Sequence, residues 1–209
     1  MTTNTSSSAP TVYVVDDDVS VRESLSSLLR SAGMLVEVFA SPLDFLAQDK
    51  HNDFSCVVLD VRMPGIDGFA LQDKIAELGW DMPIIFITGH GDVPLAVRAM
   101  RAGAIDFLNK PFNDTDLLQA IALALSRVRA TSHERMELAE LSMRFDTLTP
   151  RERQVMFAVA QGKQNKHIAF DLCVTESTVK VHKHNVMAKM RIRSVAELTL
   201  TIQRLKTRR

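Results

Sequence analysis

The chain has little cysteine, no long apolar run and no internal repeat, and each absence removes a class of protein. Its two cysteines, Cys56 and Cys173, lie far apart and fit no CxxC or Cys/His ligand spacing. Neither a disulfide framework nor a zinc site is expected, and two free thiols in a reducing cytosol are. No stretch approaches the roughly 18–20 apolar residues that a membrane span needs. The opening MTTNTSSSAP is polar and lacks the basic and apolar regions of a signal peptide. Residues 1–10 therefore read as a disordered lead-in to a soluble, cytoplasmic protein with no membrane part.

Net charge is absent too, until the 209 residues are divided. Residues 1–125 carry 8 Lys and Arg against 17 Asp and Glu, a net of −9, while residues 126–209 carry 17 against 8, a net of +9. Such polarity suggests two modules with different partners, of which only the basic one suits nucleic acid.

Across residues 11–125, short β-branched runs alternate with amphipathic stretches. TVYVVD, MLVEVF, SCVVLD, PIIFIT and AIDFL read as five strands. VSVRESLSSLLRSAG, SPLDFLAQD, DGFALQDKIAELG, DVPLAVRAMRAG and NDTDLLQAIALALSRV read as the helices that follow them. Ser41-Pro42-x-Asp44 has the form of a capping box, and Gly33, Gly79 and Gly103 stand where helices should stop. Strict alternation predicts a doubly wound α/β fold with a five-stranded parallel sheet, its apolar strands buried on both faces. Residues 126–146, with four Arg and four acidic residues, read as a helical extension or linker. From 147 to 209 the pattern is all helical: ERQVMFAVAQG behind the capping box Thr149-Pro150-x-Glu152, then NKHIAFDL, TESTVKVHKHNVMAKM and SVAELTLTIQRL.

The most unusual stretch is TVYVVDDDVSVR, where an apolar strand ends in Asp16, Asp17 and Asp18. Adjacent carboxylates repel and raise one another's pKa. In an open parallel sheet, ligands bind at the carboxyl ends of the strands. Asp16 and Asp17 end the first strand, Asp60 the third and Thr88 the fourth, and Lys110 follows the fifth. Three carboxylates, a hydroxyl and an ammonium thus converge on one edge. Clustered carboxylates become tolerable around a divalent cation, and Mg²⁺ suits a few carboxylates, a carbonyl and waters. Beside a metal and a lysine that neutralise charge, an aspartate is equipped to attack a phosphoryl group in line.

VVDDD, VLDVRMPGIDG, ITGHGD and LNKPF resemble the landmarks of a two-component receiver domain over residues 11–125. The resemblance implies that Asp60 is the phosphoacceptor. Asp16 and Asp17 would bind Mg²⁺ with Asp60 and the backbone carbonyl of Arg62. Lys110 would contact the phosphate, Thr88 would be the switch hydroxyl and Phe107 the switch aromatic, standing where many relatives have Tyr. Lys110-Pro111 resembles the family's cis bond. Asp18 has no such role and is expected to open the next helix, where a carboxylate favours the dipole. Thr88 and Phe107 flank DVPLAVRAMRAG, whose Val93, Leu95 and Met100 among Arg98 and Arg101 offer a self-complementary patch, with some of these residues turned to the core.

Residues 147–209 hold 13 Lys and Arg against 4 acidic residues. At about 100° per residue, Val179, Val186 and Met190 share one face of the helix that starts near Thr175. Ser177, Val181, His184 and Ala188 fall opposite, with Lys180 at the margin. A valine on a polar face suits a thymine methyl in the major groove. Thr175 is placed as N-cap, so DLCV becomes the turn of a helix-turn-helix.

The segment from LTPRERQ to RIRS closely resembles the four-helix DNA-binding domain of LuxR-type regulators. The two-domain order resembles response regulators of the FixJ/NarL type, nearer the FixJ branch by TGHGDVPLAVRAM. The implied helix-turn-helix spans about 164–183. Lys180, Val181 and His184 match base-facing positions; Lys166, Thr175, Thr178 and Lys183 are candidates for phosphate contacts. Cys173 stands in the turn where relatives often carry Gly, a mild departure for so small a side chain, although a left-handed backbone there would cost some strain. The resemblance implies a phosphorylation-activated transcription regulator rather than an enzyme in its own right. Its expected partners are a sensor histidine kinase, promoter DNA, RNA polymerase and, once phosphorylated, a second copy of itself. One alternative is a Mg²⁺-dependent phosphotransferase, which would need a further acid/base residue where Arg62 stands. Another is a regulator whose receiver serves only as a phosphorylation-independent dimerisation module.

Overall fold

The computed structural model describes residues 9–48, 52–89 and 93–206. Residues 1–8 of the lead-in, residues 90–92 of ITGHGD and residues 207–209 lie outside the described residues. The chain divides into two compact units, Met1–Thr131 and Ser132–Arg209.

In the first unit, β1 (Thr11–Val15), β2 (Leu35–Phe39), β3 (Ser55–Asp60), β4 (Ile84–Thr88) and β5 (Asp106–Asn109) form one parallel sheet in the order β2-β1-β3-β4-β5. The helices α1 (Val19–Ser31), α2 (Pro42–Leu46), α3 (Gly68–Glu77), α4 (Val93–Arg101) and α5 (Asp114–Asp146) follow the strands in turn. Side chains alternate across a strand, so β1 feeds two cores. Val12 and Val14 pack with Leu25 and Leu29 of α1 and Leu117 and Ile121 of α5. Tyr13 and Val15 pack with Phe45 of α2, Phe69 and Ile75 of α3 and Ala99 of α4. A side chain as buried as Leu29 contributes about 1.5–3 kcal/mol. Helices on both faces explain why β1, β3 and β4 are buried along their whole length. Cys56 of β3 lies in this interior, where burial pushes its thiol up to about 12.

Gly33, Gly79 and Gly103 take positive φ just beyond α1, α3 and α4, the left-handed turn that ends a helix. Asp18 caps α1 by accepting from the Ser20 N–H at 2.8 Å. Other expectations need adjustment. α2 is only five residues long, with Pro42 and Phe45 alone buried. Ser41 accepts from the Asp44 N–H, but Asp44 answers the Ser41 hydroxyl rather than its backbone. β5 begins at Asp106 because Ala104 and Ile105 belong to the turn after α4, packed in the core. Leu95 packs against the core, and the exposed apolar residues of α4 are Val93, Val97 and Met100. Residues 126–146 are the helical extension that the sequence allowed: α5 runs through them, and its buried positions end at Val128.

In the second unit, α6 (Pro150–Ala160), α7 (Asn165–Asp171), α8 (Glu176–Met190) and α9 (Val195–Lys206) close over Val155, Met156, Val159, Ile168, Val179, Val186, Met190, Leu198 and Ile202. Thr149 and Glu152 form a complete capping box at α6. Glu152 is buried, and its Oε2 also accepts from Lys189 Nζ of α8 at 2.7 Å. That bond, and the one from the Thr149 N–H, hold its carboxyl below the usual carboxylate range against the opposing effect of burial.

A carboxyl whose folded pKa is lowered contributes stability that is present above its ordinary value of 4.5 and is lost as pH falls through the lowered one. Glu152→Gln should therefore cost the second unit about 1–3 kcal/mol at pH 7. It should also make the decline of stability in acid shallower, as measured by urea unfolding followed by circular dichroism at a series of pH values. A parallel acid decline in both proteins would show that Glu152 does not carry the pH response.

Candidate functional site

Strand register brings the chemistry to one edge. Val15 of β1 pairs with Leu59, Asp60 with Ile87, and Thr88 with Asn109. Asp16 just past β1, Asp60 at the end of β3 and Thr88 at the end of β4 are all buried. Lys110, just past β5, reaches back so that its Nζ donates to Asp16 Oδ2 at 2.7 Å and to Asp60 Oδ1 at 2.8 Å. Its own N–H donates to the Thr88 carbonyl at 2.7 Å, and the Lys110-Pro111 bond is cis.

The remaining carboxylate oxygens are held by the backbone. Asp16 Oδ1 accepts from the Asp18 N–H at 2.9 Å, and Asp60 Oδ2 from the Arg62 N–H at 2.7 Å. Burial lifts the Asp60 carboxyl above the usual carboxylate range; the bond from Lys110 opposes this, and the nearby charge of Asp16 adds to it. Burial works against the charge of Lys110, but its bonds to Asp16 and Asp60 outweigh that and raise its pKa. Asp60 is thus a desolvated carboxylate with an ammonium already at its oxygen, the arrangement of an anionic nucleophile whose target bears negative oxygens.

The expected metal ligands are only partly gathered. Asp17 is exposed beside the buried pair. Among the described residues no group of three or more His, Cys, Asp or Glu side chains is placed to hold a metal ion. The cation between Asp16 and Asp60 is the Lys110 ammonium. Mg²⁺ keeps several waters and takes one or two carboxylates, so Asp16 and Asp60, with Asp17 and the Arg62 carbonyl as neighbours in the chain, still fit its donor chemistry. Phe107 of β5 is half-buried and packs against the core on the α3 and α4 side of the sheet.

Two residues of this edge escaped the sequence reading. Arg22 donates from Nη1 to the Asp16 carbonyl at 2.7 Å, fixing the turn that presents Asp16; no pattern announces a contact six residues apart. Gly68 opens α3 against the Asp60 backbone, where a Cβ would stand 2.4 Å from the Asp60 carbonyl oxygen. Its signal was the glycine of PGIDG.

In the second unit, α7, a turn and α8 form the helix-turn-helix. Val179, Val186 and Met190 are buried; Lys180, His184 and Val181, which is 58% exposed, face outward. Thr175 caps α8, its Oγ1 accepting from the Thr178 N–H and lying within hydrogen-bond distance of the Ser177 and Thr178 hydroxyls. Lys166 is exposed on α7, and Lys183 is half-buried. Cys173, exposed in the turn, has φ +52°, a left-handed conformation that glycine would adopt with less strain. Phe170 on α7 is 85% exposed and was not singled out by the sequence pattern.

Comparison with known proteins matches residues 12–122 to the response regulator receiver domain and residues 146–202 to the luxR family of bacterial regulatory proteins. The response regulator protein TmoT of Ectopseudomonas mendocina is 48% identical over 93% of this chain and 89% of its own. The transcriptional regulatory protein FixJ of Rhizobium meliloti is 43% identical over 90% of this chain and 92% of its own. Among solved structures, the response regulator StyR aligns with a TM-score of 0.82 at 46% identity, covering 94% of this chain and 99% of that one.

Gly68→Ala forces a methyl group into a backbone carbonyl, so it should destabilise the first unit by about 1–3 kcal/mol, as overpacking does. The midpoint of urea unfolding should fall, whereas Gly89→Ala, where a Cβ meets nothing within 4 Å and φ is not left-handed, should leave it nearly unchanged. Equal effects would show that the close approach at Asp60 is not what position 68 serves.

Proposed function

The chain belongs to the FixJ/NarL-type response regulators, a receiver followed by a LuxR-type DNA-binding domain, and on that premise we propose that phosphorylation of Asp60 controls promoter binding by α8. The observation that carries the proposal is the Lys110 ammonium seated between Asp16 and Asp60 at the carboxyl edge of the sheet. The receiver occupies residues 11–125, residues 126–146 join it to the DNA-binding domain, and that domain occupies 147–209.

The donor is a phosphohistidine of a sensor kinase. An Asp60 oxygen attacks the phosphorus, the P–N bond breaks and an acyl phosphate forms. Lys110 neutralises the incoming oxygens, and Asp16, Asp17, Asp60 and the Arg62 carbonyl would hold Mg²⁺. The metal supplies further charge neutralisation during transfer. The Thr88 hydroxyl then turns toward the phosphoryl group, Phe107 follows it inward, and the surface of α4 and β5 is reshaped. The exposed Val93, Val97 and Met100 of α4 offer the apolar part of a two-fold dimer contact. Two tethered DNA-binding domains then engage two half-sites, with the gain in affinity that effective concentration provides.

On DNA, Lys180, Val181 and His184 read base edges, and Lys166, Thr175, Thr178 and Lys183 meet phosphates, placing the regulator where RNA polymerase is recruited. No helix among the described residues is long and apolar enough to cross a membrane, and the proposed site of action is the cytoplasm.

With Mg²⁺ and acetyl phosphate, the protein should gain one hydroxylamine-labile phosphoryl group and bind a two-half-site promoter more tightly. Asp60→Asn should abolish both responses. A full adduct in that variant would place the acceptor elsewhere, and wild-type binding that ignores phosphorylation would favour a receiver that only dimerises.

Lys180→Ala and His184→Ala should each weaken specific binding by about 1–3 kcal/mol, more than they weaken nonspecific binding. Lys166→Ala should lower affinity for all sequences and flatten the salt dependence. Equal losses on operator and random DNA in all three variants would refute base reading by α8.

A further inference from the structure

The core of the first unit contains an amide that neither capping nor the acidic edge requires. Gln72, 7% exposed, lies in the middle of α3. Its Nε2 donates to the carbonyl of Ala102, 3.0 Å away, in the turn that closes α4. Its Oε1 is buried and has no hydrogen-bond partner among the described residues. A leucine of similar size would fill the space without an unmet acceptor, so the bond to Ala102 is the physical reason for an amide here. The last carbonyls of a helix lack partners within it, and α3 supplies one to α4.

A second tie runs beside the first. Arg98 of α4 places its guanidinium over the ring of Phe69, 4.1 Å from the centroid, within cation–π range. Phe69 packs on Phe86 of β4 with ring centroids 4.9 Å apart. The residue before it, Gly68, is the one pressed against the Asp60 carbonyl. α3 therefore abuts the Asp60 backbone with its first residue and grips α4 from Phe69 and Gln72.

We propose that Gln72 and Arg98 form a latch holding α4 to α3 in the unphosphorylated receiver, and that the latch sets how much of the chain is active without phosphate. The inference rests on the reading of Asp60 given above and adds two positioning residues that touch neither phosphate nor metal. Both contacts are single and reversible, as suits an element that moves. The buried Oε1 is a point of attachment that the resting arrangement does not use among the described residues. A displaced α4 that offered Oε1 a donor would release the latch at little cost.

Linkage makes the consequence quantitative. A change that weakens only the resting state raises the basal active population by some factor, and raises affinity for a phosphoryl mimic by the same factor while the active state stays minor.

The test uses the full chain with Mg²⁺ and beryllium fluoride. Half-saturation by the mimic is read at protein concentrations below the dimer range, and self-association without it by sedimentation. Gln72→Leu should lower the half-saturating concentration about fivefold and tighten basal self-association, the low end of ordinary coupling between sites, with a small fall in the urea midpoint because the resting state is the one weakened. Gln72→Met, unbranched and of similar length, serves if the leucine variant does not fold. Arg98→Lys, which keeps the charge and loses the flat stack, should shift half-saturation in the same direction.

If the wild type responds to the mimic and all folded variants match it, the latch is wrong and Gln72 merely caps α4. If the wild type itself takes up no mimic, the reading of Asp60 fails and the latch falls with it.

Discussion

One ammonium group between two buried carboxylates is the interaction on which the rest of the first unit depends. β1 and β3 are neighbours in the sheet, so Asp16 and Asp60 at their ends are forced together. Left alone, the two charges would repel in a place that water reaches poorly, and one would be neutralised by a proton. Lys110 arrives from β5, on the far side of β4, and makes both charges tolerable at once. The parallel sheet, covered by helices on both faces, is the frame that makes such a meeting of strand ends inevitable. A site balanced in this way is prepared to accept more negative charge because a cation is already installed. Burial that lifts the Asp60 pKa marks the cost of that preparation.

The second unit solves a different problem. The face of α8 proposed to read DNA is exposed, so stability has to come from the opposite side of α8 and from its ends. Val179, Val186 and Met190 supply the packing. Thr175 closes the N-terminal end, and Lys189 near the C-terminal end reaches the buried Glu152 that caps α6. The outward residues Lys180, Val181 and His184 lie outside that packed core.

Much of this was legible in the residues themselves. Strands that are apolar throughout predicted burial on both faces, and the spacing of Asp16, Asp60, Thr88 and Lys110 at strand ends predicted their common edge. Asp18, Thr149 and Thr175 cap helices as local rules require, because capping joins residues only a few positions apart. The phase of α8 separated Val181 from Val179 correctly. What escaped detection depends on contacts between distant segments: Arg22 on the Asp16 carbonyl, Gln72 on Ala102, and the orientation of Leu95. An amphipathic pattern shows that one side of α4 is buried without saying which apolar residue at its margin turns inward. The start of β5 was misplaced for a related reason, since Ala104 and Ile105 are as apolar and buried as strand residues but lie in a turn.

The two thiols occupy opposite extremes of environment. Cys56 is sealed in β3, and burial pushes its pKa up to about 12, so little thiolate forms there at neutral pH. Cys173 is exposed in the turn of the helix-turn-helix, next but one to the residue that caps α8. The native protein is therefore singly addressable by a thiol reagent. A fluorophore or spin label attached without any mutation would sit two residues before the cap of α8, beside the helix proposed to meet DNA.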